Sequence, residues 1–193
     1  MNVLVLSPYP EEIVEVIKRE GDNCIVYNND IEIDYLKLNS IDFIVSYGYS
    51  KIIKKEVIKY IKYSIINLHI SFLPYNRGYY PNLWSFIDGT PSGVTIHRID
   101  EGIDTGEILF RKQIIIDRRI HTFKSSYKIL RKEIENLFSI SWINIRQGDC
   151  KVIKTKSKGT FHYKKDGDKI LSQLESRWST NIQAALRILG VTN

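Results

Sequence analysis

The stretch that decides the fold of this chain is INLHISFLPYNRGYYPNLWSFIDGTPSGVTIHRIDEGIDTGEIL, residues 66–109. It opens on an apolar run that carries two polar residues, Asn67 and His69, two positions apart. Because alternate side chains of an extended strand lie on the same side, we expect the carboxamide and the imidazole to converge where the strand ends. A second apolar run, residues 94–99, leads into a segment of three carboxylates and two glycines, residues 100–106. Asn, His and Asp at strand ends favour an acyl-transfer site, where amide and imidazolium groups stabilise an oxyanion and a carboxylate handles a proton.

The apolar pattern predicts strands that alternate with helices along the chain. We expect strands at residues 2–7, 24–27, 42–46, 65–70, 94–99, 107–116 and 159–163. We expect helices at residues 11–19, 35–38, 54–61, 81–88, 122–146 and 181–189. Such alternation implies right-handed crossovers and a doubly wound α/β fold with a mostly parallel sheet. Ligands of these sheets lie outside the carboxyl ends of the strands, which is where the polar motifs fall.

Composition and charge narrow the class of protein. A chain of 193 residues, 43% apolar and 26% charged, has the make-up of a soluble single domain. The net charge of +6 comes from scattered Lys and Arg residues, so solvated helix faces explain it better than a nucleic-acid site. No run approaches the ~18 apolar residues of a membrane span, no signal-peptide pattern opens the chain, and Cys24 and Cys150 lack metal-ligand spacing. We expect a cytoplasmic protein that binds neither nucleic acid nor membrane.

Five motifs in a fixed order identify a family. They are Asn67-Leu-His69, Ser71-Phe-Leu-Pro74, Arg77-Gly78, Gly93-Val-Thr-Ile-His97 and Asp104-Thr-Gly106. Their combination resembles the folate-dependent formyltransferases, which include glycinamide ribonucleotide formyltransferase, methionyl-tRNA formyltransferase and the sugar-nucleotide N-formyltransferases of cell-surface polysaccharide pathways. The resemblance is strong over residues 41–109, weaker upstream and thin after Gly148. It implies a Rossmann-like formyltransferase fold, with a catalytic domain over residues 1–149 and a short C-terminal extension over residues 150–193.

The resemblance also implies a catalytic role for three residues. Asn67 would donate a hydrogen bond to the formyl oxygen, His69 would stabilise the oxyanion and shuttle a proton, and Asp104 would orient His69 and help to deprotonate the amine. His97 has two interpretations: it braces the loop that carries Asp104, or it is a hydrogen-bonded core histidine.

A cofactor, 10-formyltetrahydrofolate, follows from the same resemblance. The family holds the pterin with main-chain groups after the third strand, which here implies Lys51 and Ile53. Asp100, Gly102 and Asp104 would close the other side of the cofactor, and no metal is needed. The alternative for residues 47–53 is an ordinary connection between a strand and a helix.

A cluster of aromatic residues around one arginine is predicted to bind the substrate. It comprises Arg77, Tyr79, Tyr80 and Trp84. Such side chains can stack on a sugar or a base and bind phosphate. They can equally form a packed lid. His162, Lys164 and Lys165 offer similar chemistry with weaker support.

Three features favour the sugar-nucleotide branch of the family. Methionyl-tRNA formyltransferases carry a further RNA-binding domain, for which the chain after the long helix is short. The turn Ser7-Pro-Tyr-Pro-Glu-Glu12 lacks the glycines that would cradle the phosphate of glycinamide ribonucleotide. Residues 74–85 resemble the sugar N-formyltransferases. We therefore expect formylation of the amino group of a nucleotide-linked aminodeoxysugar in surface polysaccharide synthesis. The alternatives are a glycinamide ribonucleotide formyltransferase and a non-catalytic binding module, and the choice between a monomer and a homodimer stays open.

Overall fold

The computed structural model describes residues 1–192. Its strands are β1 (Asn2–Leu6), β2 (Asn23–Val26), β3 (Phe43–Tyr47), β4 (Ile65–His69), β5 (Arg77–Gly78), β6 (Gly93–Arg98), β7 (Ile108–Gln113) and β8 (Phe161–His162). Its helices are α1 (Glu11–Arg19), α2 (Ile33–Leu38), α3 (Lys55–Ile61), α4 (Pro81–Ile87), α5 (Phe123–Gln147), α6 (Lys164–Leu171) and α7 (Ile182–Ile188), with a short 3-10 helix at Arg177–Ser179. Among these helices, none is long and apolar enough to cross a bilayer.

The main sheet has six strands in the order β2-β1-β3-β4-β6-β7. The pairs β1–β2, β1–β3 and β3–β4 are parallel. The strands β6 and β7 run in opposite directions, since Arg98 N–H donates to the Glu107 carbonyl and Ile114 N–H donates to the Ser92 carbonyl. The predicted α/β fold with a mostly parallel sheet is confirmed. The central strands are continuous apolar runs because both faces of a parallel sheet are covered.

One compact unit of the chain comprises residues 1–69, 96–110 and 135–153. Its hydrophobic core joins strand residues to α2 and α3, and it contains Leu4, Leu6, Ile31, Leu36, Ile41, Ile44, Ile53, Val57, Ile61 and Ile65. A second group of buried aromatics centres on Trp142, whose ring lies 5.3 Å from that of Phe43 and 5.2 Å from that of Phe138. The buried Asp22 carboxylate accepts a hydrogen bond of 3.2 Å from the Trp142 indole and pairs with Arg146 at 2.8 Å. Its charge is therefore compensated, as burial requires.

The other compact unit comprises residues 70–95, 111–134 and 154–193. Its core contains Leu83, Phe123, Leu171, Leu174, Ile182, Ala185 and Leu186. Residues between 171 and 186 thus contribute to a core that also contains residues of α4 and the beginning of α5. The predicted boundary between a catalytic domain and an extension, at residue 149, stays a prediction.

The predicted helices and strands all form, but the sequence did not indicate β5, α6 or the 3-10 helix. The segment KKDGDKIL of α6 mixes Asp and Gly, both poor helix formers, with few apolar residues. Tertiary packing explains its helix. A Cβ at Gly167 would lie 2.4 Å from the Tyr80 ring, so the glycine lets the helix approach that ring. The Tyr80 ring is itself confined, because its hydroxyl donates to Asp168 at 2.9 Å and Trp178 packs edge-on against it.

We predict that Gly167→Ala destabilises the protein, although Gly to Ala normally stabilises a helix interior. The added methyl group would overpack against Tyr80, which costs about 1–3 kcal/mol. Thermal unfolding followed by circular dichroism measures the effect, with Lys169→Ala at an exposed position of the same helix as the control. A higher melting temperature for Gly167→Ala would show that this close approach does not constrain the helix.

Candidate active site

The end of β4 positions the first two polar side chains. Strand β4 pairs with β3 so that Asn67 lies beside Ser46 and Leu68 lies beside Tyr47. Ile66 and Leu68 are buried, and the alternation of the strand places Asn67 and His69 together on the opposite side. The His69 side chain is 10% exposed, so its imidazole lies close to solvent without being surrounded by it. Residues predicted from sequence to converge therefore do so.

The third predicted catalytic residue, Asp104, lies in the loop between β6 and β7. Its backbone has a φ of +52°, in the left-handed region that a non-glycine residue occupies only when its surroundings enforce it. The Asp100 carboxylate supports this conformation by accepting hydrogen bonds from Gly102 N–H at 3.0 Å and from the Thr105 hydroxyl at 2.6 Å. At Gly106, a Cβ would collide with the Arg98 carbonyl. The loop therefore requires glycine at that position.

Asp104 meets three polar side chains at this site. Its Oδ2 lies 3.7 Å from His69 Nε2, and its Oδ1 lies 3.5 Å from His97 Nε2. The Asn67 amide donates to Asp104 Oδ1 at 3.3 Å, and the same nitrogen lies 3.3 Å from His97 Nε2. The two imidazole rings are perpendicular, with centroids 6.1 Å apart. The structure thus brings Asn67, His69 and Asp104 together and adds His97 to them.

The cluster has the groups that acyl transfer requires. A carboxamide offers N–H donors, an imidazole can donate or accept a proton, and a carboxylate beside it orients the ring and favours its charged form. Of the two interpretations of His97, the contact with Asp104 favours the one in which it braces the loop. Among residues 1–192, no group of His, Cys, Asp and Glu has the arrangement of a metal site.

Two lysines that sequence inspection did not single out also contact the Asp104 loop. Lys55 and Lys59 of α3 both pair with Glu101, the second of them at 3.9 Å. These side chains are about half exposed, so each pair contributes little to stability. The spacing of four residues was visible in the sequence, but their partner is forty residues away and only folding joins them.

Lys51 and Ile53, which were predicted to hold the folate, could bind it through their side chains or through their main chain. The Ile53 side chain is buried in the core and the Lys51 ammonium pairs with Asp30 at 3.2 Å, so neither side chain points to a free ligand site. Their main chain is different. Within the described part of the chain, the main-chain groups of residues 48–53 form no hydrogen bond with other main-chain groups. Ile52 and Ile103 are also exposed, at 88% and 55%. The loop of residues 48–53 can therefore offer polar main-chain groups to a flat heterocycle. Ile52 in this loop and Ile103 in the Asp104 loop can offer apolar side chains.

The predicted substrate residues lie in the unit that contains residues 70–95. Arg77 and Gly78 form β5, which pairs with β8, and Arg77 Nε donates to the Thr160 carbonyl at 3.4 Å. Tyr79 is 48% exposed. Burial, followed by the hydrogen bond to Asp168 and the charge of that carboxylate, raises the pKa of Tyr80. Tyr80 is therefore a packed residue, whereas Arg77 and Tyr79 remain partly accessible.

Trp84 is also packed, at 8% exposed, and its partner is His162. The two rings stack in parallel with centroids 3.9 Å apart, and His162 Nε2 lies 2.9 Å from the Asp88 carboxylate. The stack occupies one face of the indole, so the packed-lid interpretation describes Trp84 and Tyr80 better than direct substrate contact. His162, Lys164 and Lys165, weaker candidates from sequence, lie on β8 and α6.

A family model described as formyl transferase matches residues 12–139, well over half of the chain. This chain belongs to the formyl transferase family. The family predicted from the motifs of residues 66–109 is thereby confirmed. Asn67, His69 and Asp104, the residues at which the sequence resembles the family, are also those that the structure gathers at one site.

A solved structure from the formyl transferase family covers nearly the whole chain. It is the crystal structure of the formyltransferase PseJ from Anoxybacillus kamchatkensis, in complex with UDP-4,6-dideoxy-4-formamido-L-AltNAc and tetrahydrofolate. It matches this chain with a TM-score of 0.89 and 37% sequence identity, over 96% of this chain and 97% of PseJ.

Curated relatives in sequence include longer proteins. The methionyl-tRNA formyltransferase of Prochlorococcus marinus is 38% identical over 112 residues, which are 58% of this chain and 33% of that protein. The methionyl-tRNA formyltransferase of Lachnospira eligens is 30% identical over 185 residues, covering 89% of this chain and 57% of that protein. The chain thus spans about a third to somewhat more than half of the length of these relatives.

We predict that Gly106→Ala disturbs the loop that carries Asp104, because its methyl group would collide with a main-chain carbonyl that cannot rotate away. Overpacking of this kind costs about 1–3 kcal/mol. Hydrogen–deuterium exchange of peptides covering residues 99–107 should become faster, while Ile103→Ala, at an exposed position of the same loop, should leave exchange unchanged. Equal exchange in Gly106→Ala and the unmodified protein would contradict the crowding described for this loop.

Proposed function

We propose that this protein transfers a formyl group from 10-formyltetrahydrofolate to the primary amine of a nucleotide-linked aminodeoxysugar. The observation that carries the proposal is the match to PseJ, a formyltransferase solved with a UDP-linked formamido sugar and tetrahydrofolate. The match extends over 97% of PseJ, so it includes residues outside the shared motifs. A UDP-linked 4-amino-4,6-dideoxy sugar is accordingly the first acceptor to test.

The other acceptors have less support. The identity to the Prochlorococcus marinus methionyl-tRNA formyltransferase is as high, but it covers only 33% of that protein. This partial identity therefore supports a shared reaction centre and gives little information about the acceptor. A glycinamide ribonucleotide substrate would need a phosphate site at the first turn, where α1 begins with Glu11 and Glu12. Two carboxylates at a helix N-terminus occupy the position that favours an anion and would repel a phosphate.

The residues of the site supply what formyl transfer to an amine requires. The folate derivative, when bound, supplies an activated formyl group attached to nitrogen. An N–H of Asn67 donates to the formyl oxygen as it gains negative charge, an interaction worth ~3–4 kcal/mol in comparable oxyanion holes. Protonated His69 stabilises the same oxygen, and Asp104, 3.7 Å from its ring, favours that protonated form. Asp104 would accept the proton that the amine loses as its nitrogen bonds to the formyl carbon, and His69 would give its proton to the folate nitrogen as the bond between that nitrogen and the formyl carbon breaks.

The main chain of residues 48–53 and the Asp104 loop are proposed to hold the cofactor. The loop offers the N–H and C=O groups that bind a pterin, and the exposed Ile52 side chain offers an apolar surface to the ring. Asp100 and Gly102 contribute through the conformation of the loop, since the Asp100 carboxylate is engaged by Gly102 N–H and by Thr105.

Assays with the purified protein and 10-formyltetrahydrofolate test the proposal directly. The acceptors are a panel of UDP- and dTDP-linked 3-amino and 4-amino sugars, with glycinamide ribonucleotide and methionyl-tRNA as competing substrates. Formation of tetrahydrofolate is followed by absorbance and the formamide by mass spectrometry. We expect turnover with at least one amino-sugar nucleotide. Efficient formylation of either competitor, with every sugar nucleotide inert, would overturn the sugar assignment.

We predict that His69→Ala and Asp104→Asn each lower kcat by at least about a hundredfold, the scale of a general acid or base. Matched controls are His121→Ala, whose ring contacts Ser125, and Asp34→Asn, whose side chain is 98% exposed. Both controls should retain turnover within about twofold. Full activity in either site variant, verified by intact mass, would remove its residue from the mechanism.

Arg77 is predicted to contact the anionic acceptor, because it is a partly accessible arginine beside an exposed tyrosine. Arg77→Ala should raise KM for the amino-sugar nucleotide by about ten- to hundredfold, the worth of one charge-assisted hydrogen bond. KM for the folate donor should change by less than twofold. Arg119→Ala, which removes an exposed arginine paired with Asp117, is the control. An unchanged acceptor KM in Arg77→Ala would show that this arginine does not bind the substrate.

A further inference from the structure

The ribbon formed by β5 and β8 joins two segments that are far apart in the chain. Arg77 lies in register with Phe161. Just before each strand, Asn76 N–H donates to the Thr160 hydroxyl at 2.8 Å, and that hydroxyl donates to the Asn76 side-chain oxygen at 3.0 Å. These contacts place the main chain of residues 160–162 directly beside Arg77.

His162 anchors β8 on one side of this ribbon. Its ring stacks on the buried Trp84 with centroids 3.9 Å apart, and its Nε2 lies 2.9 Å from the Asp88 carboxylate. Because alternate side chains of an extended chain point to opposite sides, Phe161 and Tyr163 lie on the other side of β8. Their ring centroids are 4.9 Å apart, and Tyr163 is 59% exposed. One side of the ribbon is therefore packed, and the other is accessible to a ligand.

Unpaired lysines flank β8 in the chain. Residues 154–165 contain five lysines and no Asp or Glu, and all five lysine side chains are exposed. Within the part of the chain that the structure describes, none of these five forms an ion pair, whereas Lys51 and Lys54 pair with Asp30 and Glu32. The segment therefore carries positive charge that no carboxylate compensates.

The charge of the whole compact unit has the same sign. Residues 70–95, 111–134 and 154–193 contain 17 Lys and Arg against 6 Asp and Glu, whereas the other unit contains 11 against 16. Cations that look scattered along the sequence are thus concentrated in one unit of the structure. A positive potential of this kind attracts anionic ligands and raises their rate of association.

Arg77 is the cation of this ribbon whose geometry suits a phosphate. Its Nε donates to the Thr160 carbonyl at 3.4 Å, and its two terminal nitrogens have no hydrogen-bond or ion-pair partner among residues 1–192. A planar guanidinium can donate two parallel hydrogen bonds to the oxygens of one phosphate. The terminal nitrogens of Arg77 therefore remain available for an anion.

Two of the lysines can serve a second phosphate. Lys158 and Lys164 stand immediately before and after residues 159–163, the segment that runs beside Arg77. The Lys165 ammonium lies instead over an aromatic ring, 5.6 Å from its centroid. Like charges on one short ribbon repel each other, and an anion bound to them would remove that repulsion.

We propose that Arg77, Lys158 and Lys164 bind the diphosphate of the nucleotide-linked acceptor. The guanidinium forms two hydrogen bonds to one phosphate, and the two ammonium groups neutralise the remaining charge. This inference rests on the proposed function, which supplies an acceptor with a diphosphate. It assigns the accessible side of the β5–β8 ribbon to the phosphates and adds two lysines to the residues that bind the acceptor.

A series of nucleotides tests the diphosphate site without folate and without an amino sugar. Affinities of uridine, UMP and UDP for the unmodified protein are measured by isothermal titration calorimetry. We expect UDP to bind at least about tenfold more tightly than uridine, the scale of charge-assisted hydrogen bonds. The difference should shrink between about 50 mM and about 300 mM NaCl, because salt screens exposed charges. Equal affinities of uridine and UDP would overturn the proposal.

A pair of double variants separates local contact from the general field of the unit. We expect Lys158→Gln/Lys164→Gln to weaken UDP about five- to twentyfold, the worth of two exposed charge contacts, and to leave uridine unchanged. The control Lys124→Gln/Lys128→Gln removes the same charge from exposed positions of α5 and should change UDP affinity by less than twofold. Equal losses in the two double variants would overturn the site, since only the overall charge would then matter.

The same cations could instead bind the backbone of a nucleic acid. Fluorescence anisotropy with a labelled single-stranded RNA of about 20 nucleotides tests this alternative. We expect UDP binding to depend on Lys158 and Lys164 whether or not RNA binds. A double variant that loses RNA binding and retains full UDP affinity would overturn the assignment to a diphosphate.

The two proposals fail in distinguishable ways. If no amine in the panel is formylated but UDP binding depends on the two lysines, the proposed function falls and the diphosphate site stands as a nucleotide site. If amino-sugar nucleotides are formylated and the double variant binds UDP like the unmodified protein, only the inference about the lysines falls.

Discussion

The parallel pairing of β4 with β3 is the constraint on which the rest of the site depends. In this register Asn67 lies beside Ser46, and the buried Ile66 and Leu68 occupy the opposite side of the strand. A slip of one residue would turn the carboxamide and the imidazole to the face that Ile66 and Leu68 now occupy, away from Asp104. The hydrophobic free energy that holds the strand in place therefore also positions the candidate catalytic side chains Asn67 and His69.

The loop of Asp104 adds the third group at a local cost. A left-handed aspartate costs of order 1–3 kcal/mol, and it persists because neighbouring contacts determine the loop more strongly than that. The Asp100 carboxylate organises the turn, Gly106 permits close approach to a carbonyl, and α3 holds Glu101 through two lysines. Many weak contacts around the loop thus hold the Asp104 carboxylate beside His69 and His97. This arrangement suits a group that must stay in place while a proton moves through it.

In the unit that contains residues 70–95, aromatic residues that pack the fold and aromatic residues that could bind a ligand look alike in the sequence. Trp84 stacks on His162. The Tyr80 hydroxyl donates to Asp168, and its ring packs against Gly167. Both aromatic side chains are therefore engaged in contacts within the protein. Arg77 and Tyr79 stand in the same short segment and keep part of their surface accessible. The proposed contact with the acceptor therefore rests on Arg77 and Tyr79, whose accessible surface cannot be read from the number of aromatic residues in the segment.

From the sequence we could predict the alternation of strands and helices, the family and three candidate catalytic residues, because these depend on local periodicity and on motifs within residues 66–109. Only the tertiary structure decided the rest. Strand β5 pairs with β8 eighty-four residues later, α6 is helical because Gly167 admits the Tyr80 ring, and His97 Nε2 lies 3.3 Å from Asn67 Nδ2 across two neighbouring strands. These features are contacts between segments distant in the chain, and the residue types involved are equally compatible with a loop, an exposed helix or an inert core histidine. The local sequence shows which side chains are available, whereas tertiary packing determines which of them contact each other.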